Sequence, residues 1–188
     1  TDATPETIDT TPVGVAGRVA LPGGVTAASV VNALGSTEVD AGGFTLPSSA
    51  EGRQLAIALS AAGKPLLMGW LDPDHDELST RTTAEVVAYL AIGGYHVPVE
   101  LQVRVIEALT QAPELDAVAS ALDAALVAHP DGPFGADDAD PALAAALEAV
   151  VYGILASETP RSLLVNPSAA QSGVRLDTRV HIITGAIT

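Results

Sequence analysis

Residues Arg53 to Leu71 read RQLAIALSAAGKPLLMGWL, and this stretch decides the fold class. Arg53 to Ser60 alternates, placing Leu55, Ile57 and Leu59 on one face. Ala61 to Lys64 turns the chain, and Pro65 to Leu71 returns it as a second apolar run. A period of two on both sides of a Gly-containing turn is the pattern of a β-hairpin. Helix is the poor alternative, because Gly and Pro interrupt every window from Val13 to about Leu71.

Upstream, the same grammar repeats. Val13 to Leu21 is a run of small and branched residues that stops at Pro22-Gly23-Gly24, and Ala28 to Leu34 is a second strand ending at Gly35-Ser36. Thr37 to Asp40 leads into Ala41-Gly42-Gly43, and Phe44 to Leu46 is closed by Pro47. Short strands about 8–12 residues apart with Gly/Pro turns predict a small antiparallel β-sandwich or barrel. Residues Thr1 to Pro12 are rich in Thr, Pro and acid, and bury too little apolar surface to offset their ordering entropy. They are read as a linker.

Downstream the period changes. Ser79-Thr80 precede Arg81 to Ile92, which ends at Gly93-Gly94, the start and stop signals of a helix. Val97 to Thr110 fits two templates. Val97, Val99, Leu101, Val103 and Val105 alternate as in a strand, whereas Val99, Val103, Ile106 and Leu109 make a helical face. Ile106 to Leu109 breaks the alternation, so helix is the reading taken. Pro113 to Ala128 places Leu115, Val118, Leu122 and Leu126 at helical spacing. Pro141 to Ser157 does the same with Leu143, Leu147, Val150, Val151 and Ile154. Ser162 to Val165 and Val174 to Ile187 are β-branched again. The expectation is an α+β chain: linker 1–12, β-sandwich 13–78, a three- to four-helix segment 79–158, and C-terminal strands 159–188 that pair with the sandwich or begin a further domain.

Charge excludes several functions. The net charge is -15, from 23 acidic residues against 8 basic ones, and Lys64 is the single lysine. Such a surface repels phosphate backbones and anionic lipid, so nucleic acid and membrane surfaces are not partners to expect. No window approaches the ~18 consecutive apolar residues of a membrane span. The chain lacks cysteine, which removes disulfides, thiol catalysis and thiolate metal sites. Mean hydropathy of +0.35 with 3% aromatic residues calls for a core of small and branched aliphatics.

Gly17-Arg18-Val19, Ala28 to Val31 and Asp40 to Leu46 (DAGGFTL) together resemble the carboxypeptidase regulatory-like, transthyretin-like β-sandwich. The resemblance covers about residues 13–71, roughly a third of the chain. It implies that the G-x-V strand and the Gly-Phe-x-Leu strand are sheet partners. It further implies an accessory, non-catalytic module of a secreted or surface protein of bacteria, placed outside the cytoplasm.

Asp72, Asp74 and Asp76, at every second position of Asp72 to Glu77, are the sharpest polar cluster and the candidate metal ligands, with calcium the ion they would suit. A calcium loop of the EF-hand kind needs Gly at its sixth position and Glu at its twelfth, and Glu77 and Thr83 stand there instead. What remains is a looser divalent-cation site, set against a solvated turn whose acids favour the helix that follows. Asp137, Asp138 and Asp140 read as the acidic start of the helix at Pro141. His75, His96, His129 and His181 have no metal-ligand spacing. Nucleophile elbow, S-x-x-K, H-E-x-x-H and phosphate-loop motifs are absent, so no catalytic residue and no organic cofactor is assigned. Trp70 and Tyr95 read as packing residues. The leading expectation is a non-enzymatic structural or interaction module that meets a protein partner or itself through β edges. A cation- or small-ligand-binding module and a hydrolase are the alternatives.

Overall fold

The computed structural model describes residues 13–48, 53–134 and 141–156. Seven strands come first: β1 (Val13–Val19), β2 (Ser29–Asn32), β3 (Gly35–Glu38), β4 (Gly43–Ser48), β5 (Gln54–Leu59), β6 (Pro65–Leu71) and β7 (Glu77–Leu78). Four helices follow: α1 (Thr80–Ala91), α2 (Val99–Thr110), α3 (Leu115–Ala128) and α4 (Pro141–Ala156), with a 3-10 turn at Gly94–His96. The fold is α+β. Within residues 97–110, Val99–Thr110 is helix. Its buried face is Val105, Ile106 and Leu109, and Val103, expected on that face, is exposed because it lies about 120° from the centre of that face. The predicted C-terminal strands, the Thr1–Pro12 linker and Asp137, Asp138 and Asp140 lie outside the described residues.

Two sheets face one another, a three-stranded β4-β1-β7 and a four-stranded β3-β2-β5-β6. Phe44 and Leu46 from β4 and Leu78 from β7 share one buried cluster with Val30, Ala56, Ala58, Leu67 and Leu71 of the other sheet. The pairing is antiparallel except between β1 and β7, which run parallel over Arg18–Val19 and Glu77–Leu78. The sandwich core takes Ala56 and Ala58 of β5, while Leu55, Ile57 and Leu59 are half-buried on the opposite face.

That opposite face of β6 carries the helices. Met68 and Trp70 pack against a second apolar cluster built from α1 to α4, including Val87, Val105, Leu122, Leu147 and Val150. Leu126 of α3 belongs instead to the sandwich cluster, with no exposed surface. The sandwich and the helices therefore hold each other through exchanged side chains.

Sheet edges are closed in two different ways. β6 would expose the backbone of Met68, but α1 covers it: Thr83 Oγ1 accepts the Met68 amide at 2.8 Å, and Thr82 Oγ1 donates to the Met68 carbonyl at 2.9 Å. Ser79 sets these threonines in place, because its side chain accepts from the Thr82 amide while Thr82 Oγ1 accepts from the Ser79 amide. On the other sheet, β4 carries Pro47, which has no amide to offer, and the Pro47 carbonyl accepts from Asn32 Nδ2 at 2.7 Å.

Candidate functional site

Asp72 follows β6 and begins the loop to β7. The register that pairs Gln54 with Leu71 brings Arg53 opposite Asp72. Arg53 Nε donates to Asp72 Oδ2 at 2.9 Å, in an ion pair whose side chains are 17% and 18% exposed. Asp72 Oδ1 accepts from three donors: the Asp74 amide at 2.8 Å, the His75 amide at 2.9 Å and His75 Nδ1 at 2.8 Å. The Asp72 and His75 backbones also exchange hydrogen bonds at 3.1 Å, closing the turn. His75 Nε2 lies 3.1 Å from Arg53 Nη2. The tautomer with hydrogen on Nδ1 satisfies every contact, since Nε2 then accepts from the guanidinium.

The three candidate ligands thus have three different placements. The Asp72 carboxylate faces inward and is engaged on both oxygens. Asp74 and Asp76 are exposed, and Asp76 contributes its carbonyl, which accepts from the Arg18 amide at 2.8 Å. The adjacent Glu77 pairs with Arg18 at 2.7 Å across the β1–β7 contact. Among the described residues, no group of three or more His, Asp or Glu side chains converges as a metal ion requires. A cation at Asp72 would have to displace Arg53 and the three donors of the turn.

An Asp–His contact is also how an enzyme orients a general base. Here the second imidazole nitrogen meets a guanidinium donor rather than open space, so its lone pair is engaged. The arrangement ties the end of the β5–β6 hairpin to the loop that forms β7. Arg53 was not singled out in the sequence, although it is one of only eight basic residues and sits one position beyond the hairpin strand.

Electrostatics around α1 extend this network. Burial pulls the Asp72 carboxyl upward, but the hydrogen bonds from His75, the Asp74 amide and Arg53 outweigh it and hold the group below the usual carboxylate range. Glu85 behaves oppposite in sign. Burial raises its carboxyl above the ordinary value, and the attraction of Arg81, 3.5 Å away, and of Arg53 and His75 offsets only part of that. Arg81 is shared with Asp116 and with the Thr110 carbonyl at 2.7 Å.

The two carboxylates give opposite pH dependences. A depressed carboxyl stabilises the fold above its unfolded value, 3.8 for Asp72, and that contribution is lost as pH falls through the lower folded value. A raised carboxyl costs stability while ionised, and the cost is relieved as pH falls through its folded value toward 4.5 for Glu85. Asp72→Asn is expected to lower the urea midpoint at pH 7, and the difference is expected to shrink as pH falls below 3.8 through the lower folded value. Glu85→Gln is expected to match or exceed the wild type at pH 7, with the difference vanishing near pH 4. Urea titrations at three pH values check both, and parallel curves for either variant across that range would refute the assignment.

Of the aromatic candidates, Trp70 packs edge-on to Tyr89, with ring centroids 5.5 Å apart at 78°. Its indole Nε1 is buried and has no hydrogen-bond partner among the described residues. Tyr89 donates to the Gly94 carbonyl at 2.6 Å, fixing the turn after α1. Tyr95 is exposed and lies 4.1 Å from the His96 ring. His129 is exposed, and His181 lies outside the described residues.

Comparison with protein-family models, with curated protein sequences and with solved structures returned no match to this chain.

Proposed function

We infer that the chain is a non-enzymatic structural or interaction module of an exported bacterial surface or extracellular protein. The observation that carries this reading is the closed Arg53–Asp72–His75 network, in which the residues best suited to chemistry hold a turn together. The acidic surface, the Thr/Pro-rich start and the G-x-V and Gly-Phe-x-Leu strands support export and an accessory role. Protein partners are favoured by the apolar side chains the helical half presents to solvent: Val103, Val127 and Tyr152 on the helices and Tyr95 at the 3-10 turn. Self-association through β edges falls to β3 and to the β7 side of the other sheet, where β1 extends beyond β7, because Thr82 and Thr83 cover Met68 of β6 and Pro47 interrupts β4.

The test compares the full chain with His75→Ala. No turnover is expected on ester, amide, glycoside or phosphoester substrates, and His75→Ala is expected to lower the melting temperature. An activity that His75→Ala abolishes while leaving the melting temperature unchanged would overturn the reading.

A further inference from the structure

β1 is seven residues long, and its two sides are unequally used. One side pairs with β4 from Val13 to Arg18. The other pairs with β7 only at Arg18 and Val19. The Arg18 and Ala20 amides point to the β7 side, donating to the Asp76 and Leu78 carbonyls at 2.8 Å, whereas the Val19 amide points to the β4 side. By the alternation of a strand, the amides and carbonyls of Gly14 and Ala16 also face the β7 side. No backbone or side-chain group among the described residues reaches them there, and both residues are exposed. The sandwich that covers β6 and blocks β4 leaves this half-edge open, collinear with a two-residue β7.

The geometry points to a strand from this chain's own C-terminal segment, Val174 to Ile182, as the occupant of the open half-edge of β1. Two features of the sequence fit that segment to that place. First, Val174, Leu176, Thr178, Val180 and Ile182 alternate with Arg175, Asp177, Arg179 and His181. Added beside β1, one set continues the inward face that holds Val15, and the charged set continues the solvent face that holds Ala16. Second, charge is complementary. Residues 157–188 carry three arginines against two acids, whereas residues 1–156 carry five basic residues against 21 acids. A second copy would offer the same strand, but the tether favours the chain's own. The connection from Ala156 to Val174 spans up to about 60 Å when extended. A domain of this size is about 40 Å across, so the link reaches any edge and holds the segment at millimolar effective concentration. Occupancy would remove β1 from the edges available to a second copy.

Hydrogen exchange on the full chain tests this directly. The Gly14 and Ala16 amides are expected to exchange at least ~100-fold more slowly than an open chain. In the double variant Val180→Asp/Ile182→Asp they are expected to return to within about tenfold of open-chain rates. Val15 and Gly17, whose amides face β4, stay protected in both proteins and report that the sandwich is intact. Because the chain has no cysteine, Ala16→Cys combined in turn with Arg175→Cys, Asp177→Cys, Arg179→Cys or His181→Cys gives a clean disulfide readout. At least one pair is expected to close within the monomer. Open-chain exchange at Gly14 and Ala16 beside a protected Val15 would overturn the proposal. Protection unchanged by the double variant would do the same, and so would disulfides that form only between copies.

Discussion

Leu126→Ala is expected to lower the free energy of unfolding by about 2–5 kcal/mol, and to do so in a single transition. Leu126 is a residue of α3, yet it is fully buried in the sandwich cluster that contains Leu66 and Leu67 of β6. Removing three of its carbons leaves a cavity in a cluster that strands of both sheets and a helix share, so no single element can close it. The exchange runs the other way too, since Met68 and Trp70 of β6 are packed among the helices. Trp70 is the single tryptophan, so its fluorescence reports this seam while far-ultraviolet circular dichroism reports the helices. The two signals are expected to move together in urea, in the variant as in the wild type. A loss below about 1 kcal/mol, or helices that melt before Trp70 changes, would show that the sandwich and helices fold separately.

The elements of this fold were legible wherever a local period set them. The Arg53–Leu71 hairpin and the helices at Leu115 and Pro141 follow from spacing alone, and Ile106 to Leu109 decided the ambiguous stretch correctly. β7 was not legible, because Glu77–Leu78 is too short to carry a period and becomes a strand only by meeting Arg18–Val19. The inward face of β5 was obscured for a related reason. Leu55 and Ile57 dominate its pattern, but their cross-strand partners are Trp70 and Met68 on the face of β6 that the helices cover. The sandwich core, already filled by Phe44 and Leu46, takes the alanines. At the candidate site, three alternating aspartates drew attention to oxygen donors. The residue that gives Asp72 its role is Arg53, 19 positions away, and only the hairpin register brings the two together.

Gly17→Ala is the second large effect, and it tests why β1 and β4 are partners at all. Gly17 stands directly opposite Phe44. A methyl group added at Gly17 would lie 2.4 Å from Phe44 Cζ and 2.7 Å from the Asp76 carbonyl oxygen. The ring therefore lies across the space that a side chain would fill, on one flank of β1, while the loop before β7 closes on the other. The ring can swing only by leaving a buried position, since Phe44 is 6% exposed. The Asp76 carbonyl is held by the Arg18 amide at 2.8 Å and moves only with β7. Overpacking of this kind costs about 1–3 kcal/mol and more where backbone must shift, so the loss is expected at or above the top of that range. A double-mutant cycle with Phe44→Leu separates the two clashes. Leucine shortens the side chain opposite residue 17 but leaves the Asp76 carbonyl in place, so the double variant is expected to lose at least about 0.5 kcal/mol less than the single losses added together. Strict additivity would place the whole cost at the Asp76 carbonyl, and the β1–β4 pairing would then owe nothing to the glycine beneath the ring.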